Sequence, residues 1–232
     1  MKALLISIVI ILSAPTLLPG AVEMPAPNVS MGLSGTLGRY DIYSQNNSSS
    51  SKMKWDTGPG YGGGLIFEKM FSNRFGVLSG LHYIDFRLSA SEIDSTTGGK
   101  ARYELRSRGL GMPLYLETSF SSPSVTLSFL AGFSFFHLFD SKITVDSGGA
   151  TTRGNILIYI NENQAALSGG IMIKFRVGAF TDLFVGGIAE YSLMNFFSDN
   201  ARGGDDEVNY LYNYRGIMGI MVRTNIFPIL GK

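Results

Sequence analysis

The sequence predicts an all-β fold: a closed, eight-stranded antiparallel up-and-down transmembrane β-barrel behind an N-terminal signal peptide. Three observations predict it. Apolar and polar residues alternate through about eight segments, the period of a strand with two different faces. The connections between those segments also alternate, long and polar and then only a few residues. Finally, hydrophobic residues make up 45% of the 232 residues and charged ones only 16%. Yet after the leader no run of about 20 apolar residues offers a helical span. Hydrophobicity spread through short segments suits a barrel, in which each strand turns half its residues to lipid.

The leader is read first. Lys2 supplies a positive end, Ala3 to Leu12 an apolar core, and Ser13, Ala14, Pro15, Pro19, Gly20 and Ala21 the small and helix-breaking residues after it. Residues 1–21 are expected to be a signal peptide, cleaved near Gly20 or Ala21. Residues 22–28, with Pro25 and Pro27, read as a short periplasmic tether. The barrel is expected over 29–227 and a short tail over 228–232.

The first strand is expected over Val29 to Tyr43, with Val29, Met31, Leu33 and Leu37 outward and Ser30, Gly32, Ser34, Thr36 and Gly38 inward. Gln45 to Thr57 is serine-rich and reads as a loop. The second strand, Gly60 to Met70, turns Tyr61, Leu65 and Phe67 out and Ile66 and Glu68 in. Phe71 to Arg74 is a tight turn. The third strand, Phe75 to Leu88, sends Phe75, Val77, Leu81 and Tyr83 out and His82 in; Ser89 to Lys100 is again a loop. The fourth, Ala101 to Thr118, alternates Leu110, Met112, Leu114 and Leu116 with Gly111, Pro113, Tyr115 and Glu117. Pro113 donates no ladder hydrogen bond, so a bulge or a locally open pairing is expected beside it.

Phe120 to Ser124 is the second tight turn. The fifth strand, Val125 to Phe139, carries an outward face of Val125, Leu127, Phe129, Ala131, Phe133 and Phe135. The longest connection, Asp140 to Asn163, contains an apolar patch, Ile156 to Ile160, expected to extend a hairpin above the membrane. The sixth strand runs from Gln164 to Val177, with Lys174 and Arg176 inward. Gly178 to Thr181 is the third tight turn. The seventh strand, Asp182 to Phe196, turns Glu190 inward, and the eighth, Asn209 to Phe227, turns Arg215 and Arg223 inward. An even strand number puts both chain ends on the periplasmic rim and leaves the long connections outside. Tyr40, Tyr43, Trp55, Tyr103, Tyr159, Tyr210 and Tyr212 collect near the outer strand ends. Phe71, Phe75, Phe120, Phe180 and Phe227 collect near the inner turns, as interfacial girdles do.

Glu68, Glu117, Glu190, Lys174, Arg176, Arg215, Arg223 and His82 all fall on lumen faces in this register. An eight-stranded barrel is just wide enough to be filled by its own side chains. Opposite charges there should pair, because an unpaired buried charge is very costly. The expected result is a charged network that fills the interior; a narrow path for protons or small ions is the alternative. His137 has Ser134, Asp140 and Ser141 nearby, but neighbours on a strand face opposite ways, so no catalytic constellation forms from them. Asp205, Asp206 and Glu207 read as a solvated loop. No cofactor and no metal site is expected. The absence of cysteine removes disulfides and thiolate chemistry, and a net charge of +1 gives nucleic acid nothing to bind.

The segment Arg108-Gly-Leu-Gly-Met-Pro-Leu-Tyr-Leu-Glu117 resembles a signature of the small outer-membrane β-barrel proteins common in Bacteroidota. Glu190-Tyr-Ser-Leu-Met-Asn195 is similar to their penultimate strand. The architecture is similar to that of the OmpA transmembrane domain and OmpX. The resemblance implies residence in the bacterial outer membrane, contact with lipopolysaccharide and phospholipid, and insertion by the barrel-assembly machinery. It also implies an aromatic terminus. Here Phe227 is followed by Pro228 to Lys232, which weakens that signal or makes Phe227 the effective end. The expected role is non-enzymatic: envelope integrity, or presentation of four loops to an unknown surface ligand. A narrow channel and a lipid A-modifying enzyme built on His137 are the alternatives. A soluble lipocalin-type barrel would need the opposite faces.

Overall fold

The computed structural model describes residues 28–44, 54–93, 100–147, 149–198 and 209–224. The expected signal peptide, most of the tether, Asp205 to Glu207, Phe227 and the tail lie outside the described residues. The strands are β1 (Asn28–Ser44), β2 (Lys54–Asp56), β3 (Gly58–Met70), β4 (Phe75–Ile93), β5 (Lys100–Ser121), β6 (Val125–Ser147), β7 (Ala150–Asn155), β8 (Asn163–Arg176), β9 (Thr181–Asn195) and β10 (Asn209–Thr224). Among the described residues no helix is long and apolar enough to cross a membrane. The crossing is made by strands.

All pairings are antiparallel. They join β1, β3, β4, β5, β6, β8, β9 and β10 into a closed ring of eight staves, with β2 and β7 as short additions. Closure removes free edges from the membrane, where an unpaired amide has no water to bond. The stagger follows from the register. A walk from Asn213 of β10 through Glu190, Ser168, Gly132, Tyr115, Leu78, Glu68 and Ser30 returns to β10 at Arg223, ten residues along. A shear of that size tilts strands steeply to the barrel axis, within the usual range of about 35–45°.

The faces follow the two-residue period. Leu37, Leu116 and Met218 are 70%, 71% and 63% exposed, and Leu33, Phe133 and Leu167 are exposed beside them. That band has no counterpart on a water-soluble domain and is what lipid covers. Val29 departs from its expected outward position and is buried at the rim. Asn28, placed in the tether by its sequence, already pairs with Met70 as the first residue of β1.

The tight turns lie where the sequence puts them. In the first, the amide nitrogens of Phe71 and Ser72 both donate to the Phe75 carbonyl. The long side differs more. Lys54 to Asp56, expected in a loop, pairs with Ser89 to Ser91. β4, β5 and β6 run to 19, 22 and 23 residues, while β8, β9 and β10 stop at 14, 15 and 16. About 9–11 residues suffice to cross a bilayer. One side of the barrel therefore continues outward as a raised wall of β2, β4, β5, β6 and β7. The hairpin in that wall is built from β6 and β7 across a turn at Gly149, whose φ of 86° suits glycine. The apolar patch Ile156 to Ile160 is not part of the hairpin. It folds back over the barrel mouth through a short 3-10 turn at Leu157–Tyr159.

Two irregularities have clear causes. Pairing between β4 and β5 lapses between Ser79–Leu114 and His82–Gly111, with the register unchanged. The nitrogen of Pro113 lies in that gap and has no hydrogen to give. The Ser79 hydroxyl donates instead to the Pro113 carbonyl at 2.8 Å. Of the expected alternatives, the locally open pairing is the one found. A bulge at Phe139 shifts the β5–β6 register between Arg108 and Gly109. Beyond it the facing reverses, so Ser141 turns inward and pairs with Ser107 at 2.9 Å.

Candidate functional site

Two places in the molecule could carry function: the filled lumen and the raised outer wall. At the periplasmic end of the lumen, the Lys174 ammonium donates to the carboxylates of Glu68 and Glu117. Lys174 and Glu68 come from β8 and β3, which stand opposite each other in the ring, so this contact spans the bore. Ser119 donates to Glu117 at 2.7 Å and lies 2.9 Å from the Ser128 hydroxyl. Arg223 and Asp182 form a two-bonded pair at the rim. Glu68, Ser119, Lys174, Asp182 and Arg223 line an open mouth of about 220 Å³ together with Ser30, Ser72, Thr126 and Arg176.

Deeper in, Glu190 is the hub. It accepts from Arg215 at 2.5 Å, Ser134 at 2.5 Å, Tyr115 at 3.2 Å and Asn213 at 2.9 Å. The Arg215 guanidinium also faces the Phe136 ring at 5.9 Å, as cation–π contacts do. His82 is buried and meets the Ser34 hydroxyl at 3.2 Å.

The sequence-predicted lumen set therefore divides. Glu68, Glu117 and Lys174 come together; Glu190 and Arg215 come together; His82 stands with Ser34. Arg223 is paired at the rim. Arg176 is a correction: it keeps the inward parity but is the last residue of β8, past the end of the bore, and is exposed. The sequence reading missed Asp182, Tyr115, Asn213 and the serines. Their inward parity was legible; the neutral Tyr115, Asn213 and serines gave no signal to single them out, and Asp182 stands at the very start of its strand beside a tight turn.

The lumen is also less polar than expected. Ile66, Leu78, Leu130, Met172, Phe184 and Ile217 form one buried apolar cluster. A second closes the outer end: Tyr40, Phe86, Leu105, Phe136, Leu138, Ile160, Phe196 and Leu211, with Trp55 and Phe197 packed against it. Tyr40 and Phe86 stack at 4.5 Å, and Phe86 and Phe196 are fully buried. The Tyr40 ring lies over Gly60, where a Cβ would come within 2.2 Å of it. Tyr40 and Trp55 are thus plug residues, not girdle residues. The exposed outer tyrosines are Tyr43, Tyr61, Tyr83, Tyr159, Tyr191 and Tyr214, and the phenylalanines exposed near the inner turns are Phe75, Phe120, Phe175 and Phe180.

On the outside of the raised wall, Asp85 is buried between Arg106 and Arg108 at 2.5 and 3.2 Å. One row higher, Arg87, Arg106 and Lys142 are cross-strand neighbours. His137 is exposed on the outer face and meets Asn163 at 3.1 Å. Ser134 and Ser141 are buried on the inner face, so the sheet itself separates them from His137.

Residues 28–198 match the family described as outer membrane protein beta-barrel domain. Comparison with curated proteins finds no match. Among solved structures, the chain is similar to the neisserial surface protein A, with 12% identity over 86% of this chain and 98% of that one (TM-score 0.42). It is similar to OprG of Pseudomonas aeruginosa, with 13% identity over 87% and 97% (TM-score 0.44). It is also similar to the outer membrane protease OmpT of Escherichia coli, with 11% identity over 88% and 99% (TM-score 0.44). With a closed ring of staves, a lipid-facing girdle and a family match over most of its length, the chain belongs to the outer membrane protein beta-barrel domain family and resides in the bacterial outer membrane.

Proposed function

We propose that this protein is a non-conducting, non-enzymatic barrel that anchors a contact surface outside the cell. One observation carries the reading: the bore ends in a largely apolar plug while one side of the wall continues outward as a raised sheet. An ion entering from the periplasmic mouth would meet Phe86 and Phe196, and the polar groups buried beside them, the Ser107–Ser141 pair and Ser192 on Gln164, already bond to each other, so stripping its water is costly. A barrel that passes nothing but builds beyond the bilayer is spending its chain on the outside. The placement of His137 and Ser134 on opposite faces supports a non-enzymatic role, because a base and a nucleophile must lie within hydrogen-bond reach.

The test uses the purified full chain in planar bilayers and in cells. The expected result is no stable conductance. A variant with residues 143–154 replaced by a tight Asn-Gly turn should keep the barrel and lose the adhesion of expressing cells to immobilised matrix protein. Discrete conductance steps that change with Arg215→Glu would overturn the reading in favour of a channel.

A further inference from the structure

The periplasmic mouth is ordered by charge along the barrel axis. Lys174 and Glu68 lie one inward-facing position above the ends of β8 and β3, and Arg176 stands at the end of β8. At the deeper level two carboxylates, Glu68 and Glu117, share the single ammonium of Lys174, and all three residues are buried. Glu68 offers that ammonium only its Oε2, and Oε2 of Glu117 has no donor at all. At the rim the balance reverses. Two guanidiniums, Arg176 on β8 and Arg223 on β10, stand on either side of one carboxylate, Asp182 on β9. Both oxygens of Asp182 are taken by Nε and Nη2 of Arg223, at 2.7 and 2.5 Å, which leaves Nη1 of Arg223 over. Arg176 is exposed, and among the described residues no side chain pairs with it. Ser30 lines the same mouth, is only 2% exposed, and its hydroxyl has no partner among the described residues.

We propose that this mouth is a socket for a small zwitterion that carries an ammonium and a phosphate, as phosphoethanolamine does. Three carboxylates and three cations leave the mouth neutral as a whole, so it attracts a dipole rather than a net charge. The ammonium enters first and meets the surplus negative charge beside Glu68. The phosphate stays at the rim with Arg176, Nη1 of Arg223 and Ser30. Donors that converge from three elements suit a tetrahedral group; a flat carboxylate is satisfied by one guanidinium fork. The volume of about 220 Å³ sets the size. It is below the roughly 300–1,000 Å³ of pockets that hold drug-sized molecules, so the ligand is no larger than a headgroup. The apolar plug closes the bore above, so what enters leaves by the same opening. The inference is independent of the surface-contact reading, which concerns the other end of the barrel.

The probe is free phosphoethanolamine, titrated by calorimetry into the full chain in uncharged maltoside micelles. Saturable binding is expected. Glycerol phosphate keeps the anion and lacks the ammonium, and should bind about tenfold more weakly. Arg176→Gln alters an exposed side chain past the end of the bore and should weaken phosphoethanolamine about fivefold. Glu68→Gln keeps the pair between Lys174 and Glu117. It should weaken phosphoethanolamine about tenfold and leave glycerol phosphate unchanged or tighter, a split that a merely structural role would not produce. Absence of saturable binding, equal affinity for the two phosphates, indifference to Arg176→Gln, or equal weakening of both ligands by Glu68→Gln would each overturn the proposal. Equal affinity would mean that the floor is already balanced by a proton. Nanodiscs then distinguish the source of the ligand. If a lipid headgroup fills the socket, phosphatidylethanolamine discs weaken the binding of the free probe relative to phosphatidylcholine discs, whose nitrogen has no hydrogen to donate. If the occupant is a free solute, the two discs bind the probe alike.

Discussion

The two ends of the bore are closed by different physics. The outer end is sealed by stacked rings that exclude water: Tyr40 on Phe86, Phe86 near Phe196, and Ile160 folded down from the connection above. The inner end is open to a mouth of about 220 Å³ and held by Lys174 between two carboxylates. Dispersion and burial stabilise the first and need close packing. Charge stabilises the second and needs every partner present. The difference teaches that a narrow barrel can be filled by two independent means, and that only the apolar one makes it a dead end.

The comparison can be broken from the charged end first. Lys174→Ala strands two carboxylates and should cost about 3–5 kcal/mol in reversible urea unfolding in lipid vesicles. Combining Lys174→Met with Glu68→Gln and Glu117→Gln should recover most of that loss, because the neutral set no longer needs a partner. A single variant as mild as the triple would show that the floor is not held by charge. Phe86→Ala attacks the plug. It should cost about 3 kcal/mol in the same assay and should be the variant that admits ions, read as the appearance of conductance.

Smaller effects sharpen the picture. Ser134→Ala removes one donor from Glu190, which keeps Arg215, Tyr115, Asn213 and Ser168, and should cost about 1 kcal/mol. Asp182→Asn weakens a partly exposed pair at the rim. Its effect should stay below about 1 kcal/mol and shrink further in high salt. If Asp182→Asn proved as damaging as Lys174→Ala, the mouth would be drier than its polar lining implies.

Much of this was written in the period-two pattern. Leu110, Met112, Leu114 and Leu116 declare a lipid face, and Pro113 between them announces the broken pairing that Ser79 bridges. The inward position of Glu68 and Lys174 was equally legible. Their contact was not, since it joins residues 106 apart across the bore and depends on shear and diameter. The plug was hidden for a related reason. Phe136, Phe196 and Ile160 look like any other apolar residues until the connection carrying Ile160 folds back. The heights of the staves were misjudged because Thr, Ser and charged residues, as in Ser89 to Glu92 and Asp140 to Ser147, suit a solvated strand as well as a loop.

The extra residue at Phe139 acts as a change of step in a two-beat march. Below it, odd-numbered positions of β6 meet hydrocarbon; above it, even-numbered ones look outward, and Asp140 and Lys142 meet water and headgroups. Removing Phe139 would restore the beat and exchange the two sides of everything above. Asp140 and Lys142 would swing toward the axis, and Ile143 and Val145 would swing out. One unpaired residue thus sets the line at which this chain stops being a membrane protein and becomes an extracellular one.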